Sequence, residues 1–218
     1  MKSFFKDVYL IFYNILRYYG FININYRVEA KIDFGSYRAN RFFLDKLKKS
    51  NSYFEYGSGR STLVAKKLKK SFISIESDRS FFNYLKKFDI KNYKLIDFGY
   101  VYFFSVPIFF FIKKEKLSKI ANRYSESIFL TFKKIPDLIL IDGRYRVLCA
   151  LKVYFFLKKY KKKNTIVILD DFKNREKNYS IVKKMFHIKM IDRLAVMTIK
   201  NNFSYTKNLI NIYEKFYI

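Results

Sequence analysis

The chain has 218 residues, half of them apolar, which is enough for one domain with a complete core. Its formal charge of +27 comes from 45 basic and 18 acidic residues and, taken alone, favours nucleic acid or an anionic membrane as a partner. One cysteine and one histidine exclude an intrachain disulfide, a cysteine-based metal site and a multi-histidine metal site.

The charge is explained better by composition than by a nucleic-acid surface. Lys, Asn, Ile, Phe and Tyr are abundant together, while the chain has no Trp, two Pro and six Gly. This joint bias is typical of an A/T-rich coding sequence, and the lysines are scattered rather than confined to one segment. We therefore expect nucleic acid to be the less favoured partner, whereas a basic surface still favours anionic ones.

Residues 3–20 place aromatic and aliphatic side chains at helical spacing and predict an amphipathic helix that stops at Gly20. Such a helix packs on the domain, or it lies in the plane of a membrane or against a partner, and the sequence leaves these alternatives open. No cleavable signal and no membrane-spanning run is evident, which predicts a cytoplasmic protein, with peripheral attachment at the inner membrane as an alternative. We assign residues 1–35 to this helix and a connector, and 36–218 to one α/β domain.

Strands and helices alternate along the rest of the chain. Strands are predicted at 52–56, 72–76, 93–98, 137–143, 165–169, 188–192 and 195–199, and helices at 37–49, 61–70, 79–88, 113–132, 144–160, 174–186 and 206–217. The strands are nearly continuous apolar runs, as in a parallel sheet that is buried on both faces. We predict a Rossmann-like, doubly wound, mostly parallel sheet of about seven strands with helices on both faces.

An aromatic run at 100–112 lies within an insertion near 100–132. It predicts either an extra core element or a lid that contacts substrate or membrane, with lysines at 113, 114 and 116 meeting lipid headgroups. Cys149, between Leu148 and Ala150, is predicted to be a core residue. His187 is predicted to pack or cap at a helix end, with a general-base role as the less favoured alternative.

The stretch from Glu55 to Thr62 carries the strongest functional pattern. A strand ends at an acid, Gly57 and Gly59 follow, and Ser61 and Thr62 open a helix. A glycine turn before a helix N-terminus lets a ligand approach the backbone and its free N–H groups. The third glycine of a dinucleotide fingerprint is missing, and an acid before the turn would repel a pyrophosphate, so an NAD-dependent enzyme is disfavoured.

Acids also follow or end the other strands: Glu76, Asp97, Asp142, Asp170 and Asp171. The carboxyl ends of parallel strands meet at one edge of the sheet, so these acids are predicted to converge on one crevice. Glu76 lies 19 residues after Gly57, the spacing at which a Rossmann-type domain places a carboxylate against ribose hydroxyls.

Glu-x-Gly-x-Gly-x-Ser resembles the first motif of class I S-adenosylmethionine-dependent methyltransferases. Phe-Ile-Ser-Ile-Glu-Ser-Asp resembles their second motif, and Pro-Asp-Leu-Ile-Leu-Ile-Asp-Gly their fourth strand. Ile-Asp-Gly-Arg-Tyr-Arg-Val and Leu-Asp-Asp-Phe are similar to a group of uncharacterised bacterial methyltransferase-like proteins. The match covers roughly residues 37–200 and departs from the family where Ser61 replaces the third glycine.

The resemblance implies S-adenosyl-L-methionine as the cofactor and in-line attack by a substrate oxygen or nitrogen on its methyl group. The residues it places against the cofactor are Glu55, Gly57, Ser58, Gly59, Ser61, Thr62, Glu76, Ser77, Asp97 and Asp142. Asp142 or Asp170 is the candidate general base. The acceptor is predicted to be a small molecule or a glycan precursor, and the alternative function is a non-catalytic Rossmann-like protein that binds nucleic acid or an anionic membrane surface.

Arg144 and Arg146 begin a helix, where a cation opposes the helix dipole, so they bind an anionic partner or form ion pairs with Asp142 or Asp170. With Asp171 they are the candidate substrate-binding residues. The three aspartates also suit a divalent cation, as in catechol-type O-methyltransferases. Ion pairing is the simpler interpretation, and we predict no metal site.

Overall fold

The computed structural model describes residues 2–22, 26–101, 114–131, 133–201, 203 and 207–213. Within these residues seven strands form a sheet: β1 (Ser52–Tyr56), β2 (Ser71–Glu76), β3 (Tyr93–Leu95), β4 (Leu138–Ile141), β5 (Ile166–Leu169), β6 (Phe186–Ile191) and β7 (Leu194–Ile199). Their order is β3-β2-β1-β4-β5-β7-β6. The first five strands run parallel, and β7 is antiparallel to both β5 and β6. The predicted mostly parallel sheet is confirmed.

Helices cover both faces of the sheet, as predicted. The described helices are α1 (Lys2–Tyr19), α2 (Tyr37–Lys49), α3 (Arg60–Lys67), α4 (Arg79–Lys86), α5 (Lys114–Ser125), α6 (Arg146–Lys159), α7 (Val182–Met185) and α8 (Lys207–Tyr213), with 3-10 turns at Glu126–Thr131 and Lys173–Arg175. Alternate residues of β1 point to opposite faces, so Phe54 and Tyr56 join the core under α5 and α6, whereas Tyr53 joins the core under α2 and α3.

The strand order positions the functional cleft. From β1 the chain proceeds to β2 and β3 on one side, and β4 then lies on the other side of β1. In open α/β sheets, ligands bind outside the carboxyl ends of the strands at such a reversal. The segments that follow β1 and β4 are therefore the expected floor of a binding site.

Two predicted elements differ from the structure. β3 ends at Leu95 rather than Phe98, so Asp97 follows the strand instead of lying in it. The helix predicted over 174–186 is reduced to the four residues of α7, and His187 is the second residue of β6, paired with Thr198 of β7. His187 is exposed because strand alternation turns it away from the buried side of Phe186, so the predicted packing role is wrong.

Three further predictions concern Cys149, the aromatic run and membrane-spanning helices. Cys149 is fully buried in α6, which confirms its place in the core. Residues 102–113, which carry most of the aromatic run, lie outside the described residues, so the two interpretations of that run stay predictions. No helix within the described residues is long and apolar enough to cross a membrane.

Helix α1 packs on the domain through one side only. Arg17 is buried; it forms an ion pair with Asp78 at 3.0 Å and donates to the carbonyl of Val101 at 2.6 Å. The Tyr18 hydroxyl donates to Asp97 at 2.8 Å. The other side leaves large apolar residues exposed: Val8, Tyr9, Phe12 and Tyr19. Packing on the domain is confirmed, and the outward apolar face is left largely exposed.

Candidate functional site

A cleft of about 700 Å³ lies at the C-terminal ends of β1, β2, β4 and β5. Its floor consists of residues that end or follow those strands: Gly57, Ser58, Gly59, Glu76, Ser77, Asp78, Asp142, Gly143, Asp170 and Asp171. This volume falls in the range of sites that bind small molecules and cofactors. The predicted convergence of strand-end acids is confirmed for Glu76, Asp142, Asp170 and Asp171.

The glycine turn is fixed by close contact between two loops. Gly57 has a φ of +91°, and a Cβ there would lie 2.9 Å from backbone atoms of Asp142 and Gly143. A Cβ on Gly143 would lie 1.9 Å from the Tyr124 hydroxyl and 3.0 Å from the Gly57 nitrogen. The loops after β1 and β4 therefore touch backbone to backbone, which only glycine permits.

Gly59 has a different environment from the other two glycines. A Cβ built there would meet no atom within 4 Å, and the residue lines the cleft. Space left open above a backbone that begins helix α3 is what a ligand needs to approach the free N–H groups of the first turn. The hydroxyl of Ser58, also in the cleft wall, is held by Ser74 at 2.6 Å.

Glu55 lies beneath the turn rather than in the cleft, and it is fully buried. The hydroxyls of Tyr53 and Ser61 donate to Oε2 at 2.6 and 2.5 Å, and Thr62 donates to Oε1. Thr62 in turn accepts the N–H of Gly59 at 2.8 Å. The structure does not support the direct cofactor contacts predicted for Glu55 and Thr62, since hydroxyls of the protein enclose this carboxylate and link it to the turn.

Glu76 ends β2 and lines the cleft while being almost fully buried. The backbone N–H groups of Ser77 and Asp78 donate to its Oε1 at 2.6 and 2.8 Å. Within the described residues, no hydrogen bond is made to Oε2. Burial raises the pKa of Glu76 to about 7, against the lowering effect of the two N–H donors. The structure therefore holds one oxygen in place and leaves the other available.

Asp97 lies apart from the other strand-end acids. Its Oδ2 forms an ion pair with Arg79 at 2.6 Å and accepts from Tyr18, and its Oδ1 accepts from the N–H of Gly99 at 2.8 Å. It does not line the cleft. The cofactor contact predicted for Asp97 is not supported, because the early end of β3 turns this residue towards α1 and α4.

Arg146 joins the ends of β4 and β5. Its Nε donates to the Gly143 carbonyl, Nη1 to the Asp170 carbonyl and Asp171 Oδ2, and Nη2 to the carbonyl and Oδ1 of Asp142, at 2.8–3.4 Å. These five bonds match the five N–H donors of a guanidinium. Arg146 therefore has no donor left for a substrate, and the ion-pair alternative describes it instead. Asp171, predicted as a substrate contact, is likewise engaged by Arg146.

Asp170 is paired with an arginine from the β6–β7 turn. Arg193 donates Nε to Oδ1 at 2.7 Å and Nη2 to Oδ2 at 2.5 Å, and Asp170 is 1% exposed. Both oxygens of this carboxylate are therefore engaged by one guanidinium. The structure therefore makes Asp170 the weaker of the two predicted bases.

Asp142 is the better candidate for proton transfer. It lines the cleft beside Gly57, and only its Oδ1 is engaged by Arg146, at 2.9 Å. Burial, together with the nearby Asp170 and Asp171 carboxylates, raises the pKa of Asp142 to about 8, although Arg146 opposes the shift. No group of three or more metal-ligating side chains with room for an ion occurs within the described ranges.

Sequence reasoning missed the group around Arg17. This residue and Asp78 line the cleft and form a buried ion pair next to Glu76. Asp78 also caps α4, since it accepts from the N–H groups of Ser80 and Phe81. The sequence did carry a signal for the role of Arg17, because Arg17 is the one charged residue in the stretch 8–22.

Comparison with known proteins gives a structural likeness only. No protein-family model and no curated protein matches the chain. A methyltransferase-like protein from Silicibacter pomeroyi superposes with a TM-score of 0.66 at 24% identity, over 87% of this chain and all of that one. The chain therefore has the fold of a methyltransferase-like protein.

Two further solved structures are more distant. The SAH-bound methyltransferase PaMTH1 from Podospora anserina gives a TM-score of 0.47 at 14% identity, over 73% of this chain and 76% of that one. The methyltransferase MycE of the mycinamycin biosynthetic pathway, in complex with Mg and SAH, gives 0.38 at 12% identity, over 74% of this chain and 48% of that one.

Proposed function

We propose that the protein is a methyltransferase that uses S-adenosyl-L-methionine and methylates an oxygen or nitrogen of a small molecule or glycan precursor. The observation that carries this proposal is the open backbone at Gly59 next to a carboxylate, Glu76, with one oxygen left available. A carboxylate accepts from both hydroxyls of a vicinal diol, so the pair suits a ligand with a ribose. The fold, shared with a methyltransferase-like protein, supports the same interpretation.

The residues present fit this cofactor. Glu76 would hold the ribose, and the turn from Gly57 to Gly59 would lie beneath the amino-acid portion. Asp142, rather than the enclosed Glu55, is the acid that faces this part of the cleft. S-adenosyl-L-methionine supplies an electrophilic methyl group on a sulfonium centre. The protein's contribution is then mainly to hold two reactants in line and exclude water.

Asp142 has the position and the proton affinity for the acid–base step. It lines the cleft, Arg146 donates to its Oδ1, and the pKa that burial raises to about 8 lets its ionised form accept the proton that an acceptor hydroxyl or amine loses. Arg146 fixes the orientation of the carboxylate through Oδ1. Asp142 is therefore proposed as the general base.

Calorimetry with S-adenosylhomocysteine tests the proposal. We expect the wild-type protein to bind it, Glu76→Ala to weaken binding at least tenfold through loss of charge-assisted hydrogen bonds, and Glu115→Gln to bind like wild type. Glu115 is an exposed acid of α5 that does not line the cleft. Absence of binding by folded wild-type protein would contradict the proposal, as would an unchanged affinity in Glu76→Ala. Salt-dependent RNA binding without cofactor binding would favour the non-catalytic alternative.

We further propose that the protein is cytoplasmic and attaches to an anionic membrane surface through α1. The outward side of α1 exposes Val8, Tyr9, Phe12 and Tyr19 and, over those positions, carries no charged side chain. Tyrosine and phenylalanine are suited to the headgroup boundary, and the +27 charge of the chain complements anionic lipid. Attachment is compatible with catalysis, since Arg17, on the inner side of this helix, is the residue of α1 that lines the cleft.

Vesicle flotation tests the membrane proposal. We expect binding to vesicles with anionic lipid, weak binding to neutral vesicles, and an affinity at least tenfold lower for the double variant Tyr9→Ser, Phe12→Ser. The matched control is Tyr37→Ser, Leu130→Ser, which removes two exposed apolar side chains elsewhere. Equal loss in both double variants, or none in the first, would refute the role of α1.

A further inference from the structure

The cleft contains arginine where the rest of the chain uses lysine. Eleven of the 45 basic residues are arginine, and seven of those eleven line the cleft. Within the described residues, no lysine lines it. If arginine and lysine were distributed evenly over the chain, about two of the seven basic residues in the cleft would be arginine. Because both side chains carry one positive charge, net charge does not explain this segregation; the planar, forked donor group of arginine does.

Four of the seven arginines bind acids of the protein. Arg17 pairs with Asp78 and Arg60 with Asp33, while Arg146 and Arg193 hold the three aspartates after β4 and β5. Arginine is preferred over lysine for such bidentate or buried pairs. These four are therefore explained by the structure of the cleft itself. The other three are Arg27, Arg144 and Arg175. The described ion pair of Arg175 is a weak one.

Arg175 follows β5 and lines the cleft. Its one described ion pair is with Asp171 Oδ2 at 4.0 Å, an oxygen that Arg146 approaches to 3.1 Å. Its side chain is 32% exposed. Arg144 follows β4, the neighbouring strand, and also lines the cleft. The two residues thus come from adjacent strand ends, beyond the carboxylate proposed as the base.

The balance of charge at this end is positive. Asp142, Asp170 and Asp171 face four arginines, namely Arg146 and Arg193 of the closed network and the outer Arg144 and Arg175. At the opposite end, which holds Glu76, the charges balance: Asp33, Glu76 and Asp78 line the cleft together with Arg17, Arg27 and Arg60. A cofactor bound over the turn and Glu76 leaves the cationic end for the second reactant.

We propose that the methyl acceptor carries an anionic group, a phosphate or a carboxylate, that Arg175 binds beside Arg144 at the β4–β5 end of the cleft. The inference rests on the proposed function, since that function identifies this end as the acceptor side. A forked guanidinium donates two parallel hydrogen bonds to either anion. The acceptor atom is thereby directed towards Asp142, which lines the same cleft.

Anion binding in the presence of saturating S-adenosylhomocysteine tests the inference. Calorimetric titrations with inorganic pyrophosphate and with malonate distinguish phosphate from carboxylate recognition. We expect wild type to bind one of them better, Arg175→Gln to lose about tenfold in affinity, and Arg175→Lys to lose several-fold because charge remains but the fork is gone. The matched control is Lys173→Gln, which removes one positive charge two residues away, in a groove along β6 outside the cleft.

Each outcome decides a separate question. Equal losses in Lys173→Gln and Arg175→Gln would mean that general charge, not a site, attracts the anion, and the inference fails. Cofactor binding without anion binding also overturns it and leaves the proposed function standing. Anion binding without cofactor binding refutes the methyltransferase proposal instead. A parallel loss of S-adenosylhomocysteine affinity in Arg175→Gln would show that Arg175 holds the cofactor carboxylate, which overturns the acceptor role.

Discussion

The two ends of the cleft use similar residues in opposite ways. At the β4–β5 end, five donors of Arg146 and two of Arg193 meet carboxylates and carbonyls of the protein. At the β1–β2 end, Gly59 faces open space and Glu76 keeps an oxygen without a described partner. The network around Arg146 and Arg193 is closed and holds strand ends together, whereas Gly59 and Glu76 leave space and an acceptor for a ligand.

The difference shows which polar groups are available for binding. A charged residue in a cleft contributes to binding only through donors or acceptors that the protein has not already used. Glu55 and Glu76 illustrate this on neighbouring strands, since hydroxyls enclose the first and the second is half-engaged. Availability of donors and acceptors, rather than residue type, separates the binding groups from the structural ones.

Removing Arg146 should give the largest effect on stability. Arg146→Met removes the principal counter-charge of Asp142 and Asp171, and it removes the donor to three backbone carbonyls. We therefore expect a loss of roughly 3–5 kcal/mol in the free energy of unfolding. Arg60→Met removes an exposed pair with Asp33 in the same cleft and should cost less than about 1 kcal/mol. Denaturant unfolding measures both free energies. Similar losses in the two variants would contradict the distinction between the closed network around Arg146 and the exposed pair of Arg60 with Asp33.

Two of the cleft glycines, Gly143 and Gly59, should separate stability from binding. Gly143→Ala places a Cβ against the Tyr124 hydroxyl and the Gly57 backbone and should cost about 1–3 kcal/mol of unfolding free energy. Gly59→Ala meets no atom, so we expect a change below about 1 kcal/mol but a clear loss of S-adenosylhomocysteine affinity. Thermal unfolding and calorimetry on the same samples check this, and intact binding by Gly59→Ala would mean that the open space is not used.

Glu76 should give the smallest effect, visible in the pH dependence of binding. Burial raises the pKa of Glu76 to about 7, above its unfolded value, so its contribution to stability is present at low pH and is lost as pH rises through 7. A ribose diol needs the ionised form as acceptor. We therefore expect the affinity for S-adenosylhomocysteine to fall about tenfold from pH 8 to pH 6, because only about a tenth of the carboxyl groups are ionised at pH 6.

The matching variant for this titration is Glu76→Gln, which keeps the shape of the side chain but has no titrating group. Its affinity at pH 8 should be lower than that of wild type and should stay flat between pH 6 and pH 8. A wild-type profile that is equally flat would show that the ionised carboxylate does not bind the ligand.

The sequence predicted the parts of the fold that depend on local pattern. Apolar runs such as Leu138–Ile141 and Ile166–Leu169 are buried strands, and the glycine turn lies where predicted, between β1 and α3. Glu76 and Asp142 were placed in one crevice from chain order alone, because parallel strands end at the same edge. These inferences need only the period of hydrophobicity and the topology.

The sequence could not show which acids the protein itself neutralises. The partners of Asp78 and Asp170 are Arg17 and Arg193, 61 and 23 residues away in the chain, and no local pattern links them. Glu55 was predicted to face the cofactor because its motif position was known, whereas its burial depends on the rotamers of three hydroxyl side chains. Pairing at long range is a property of tertiary packing.

Because α1 contributes Arg17 to the cleft, the part of the chain that forms the site begins before residue 35. Deleting residues 1–35 as a separate segment would remove the guanidinium that neutralises Asp78, a nearly buried carboxylate two positions from Glu76. It would also remove Tyr26, which lines the cleft with Arg17. The boundary predicted after residue 35 would thus cut through the wall of the binding cleft. A truncated domain would lack part of the site that it was made to study.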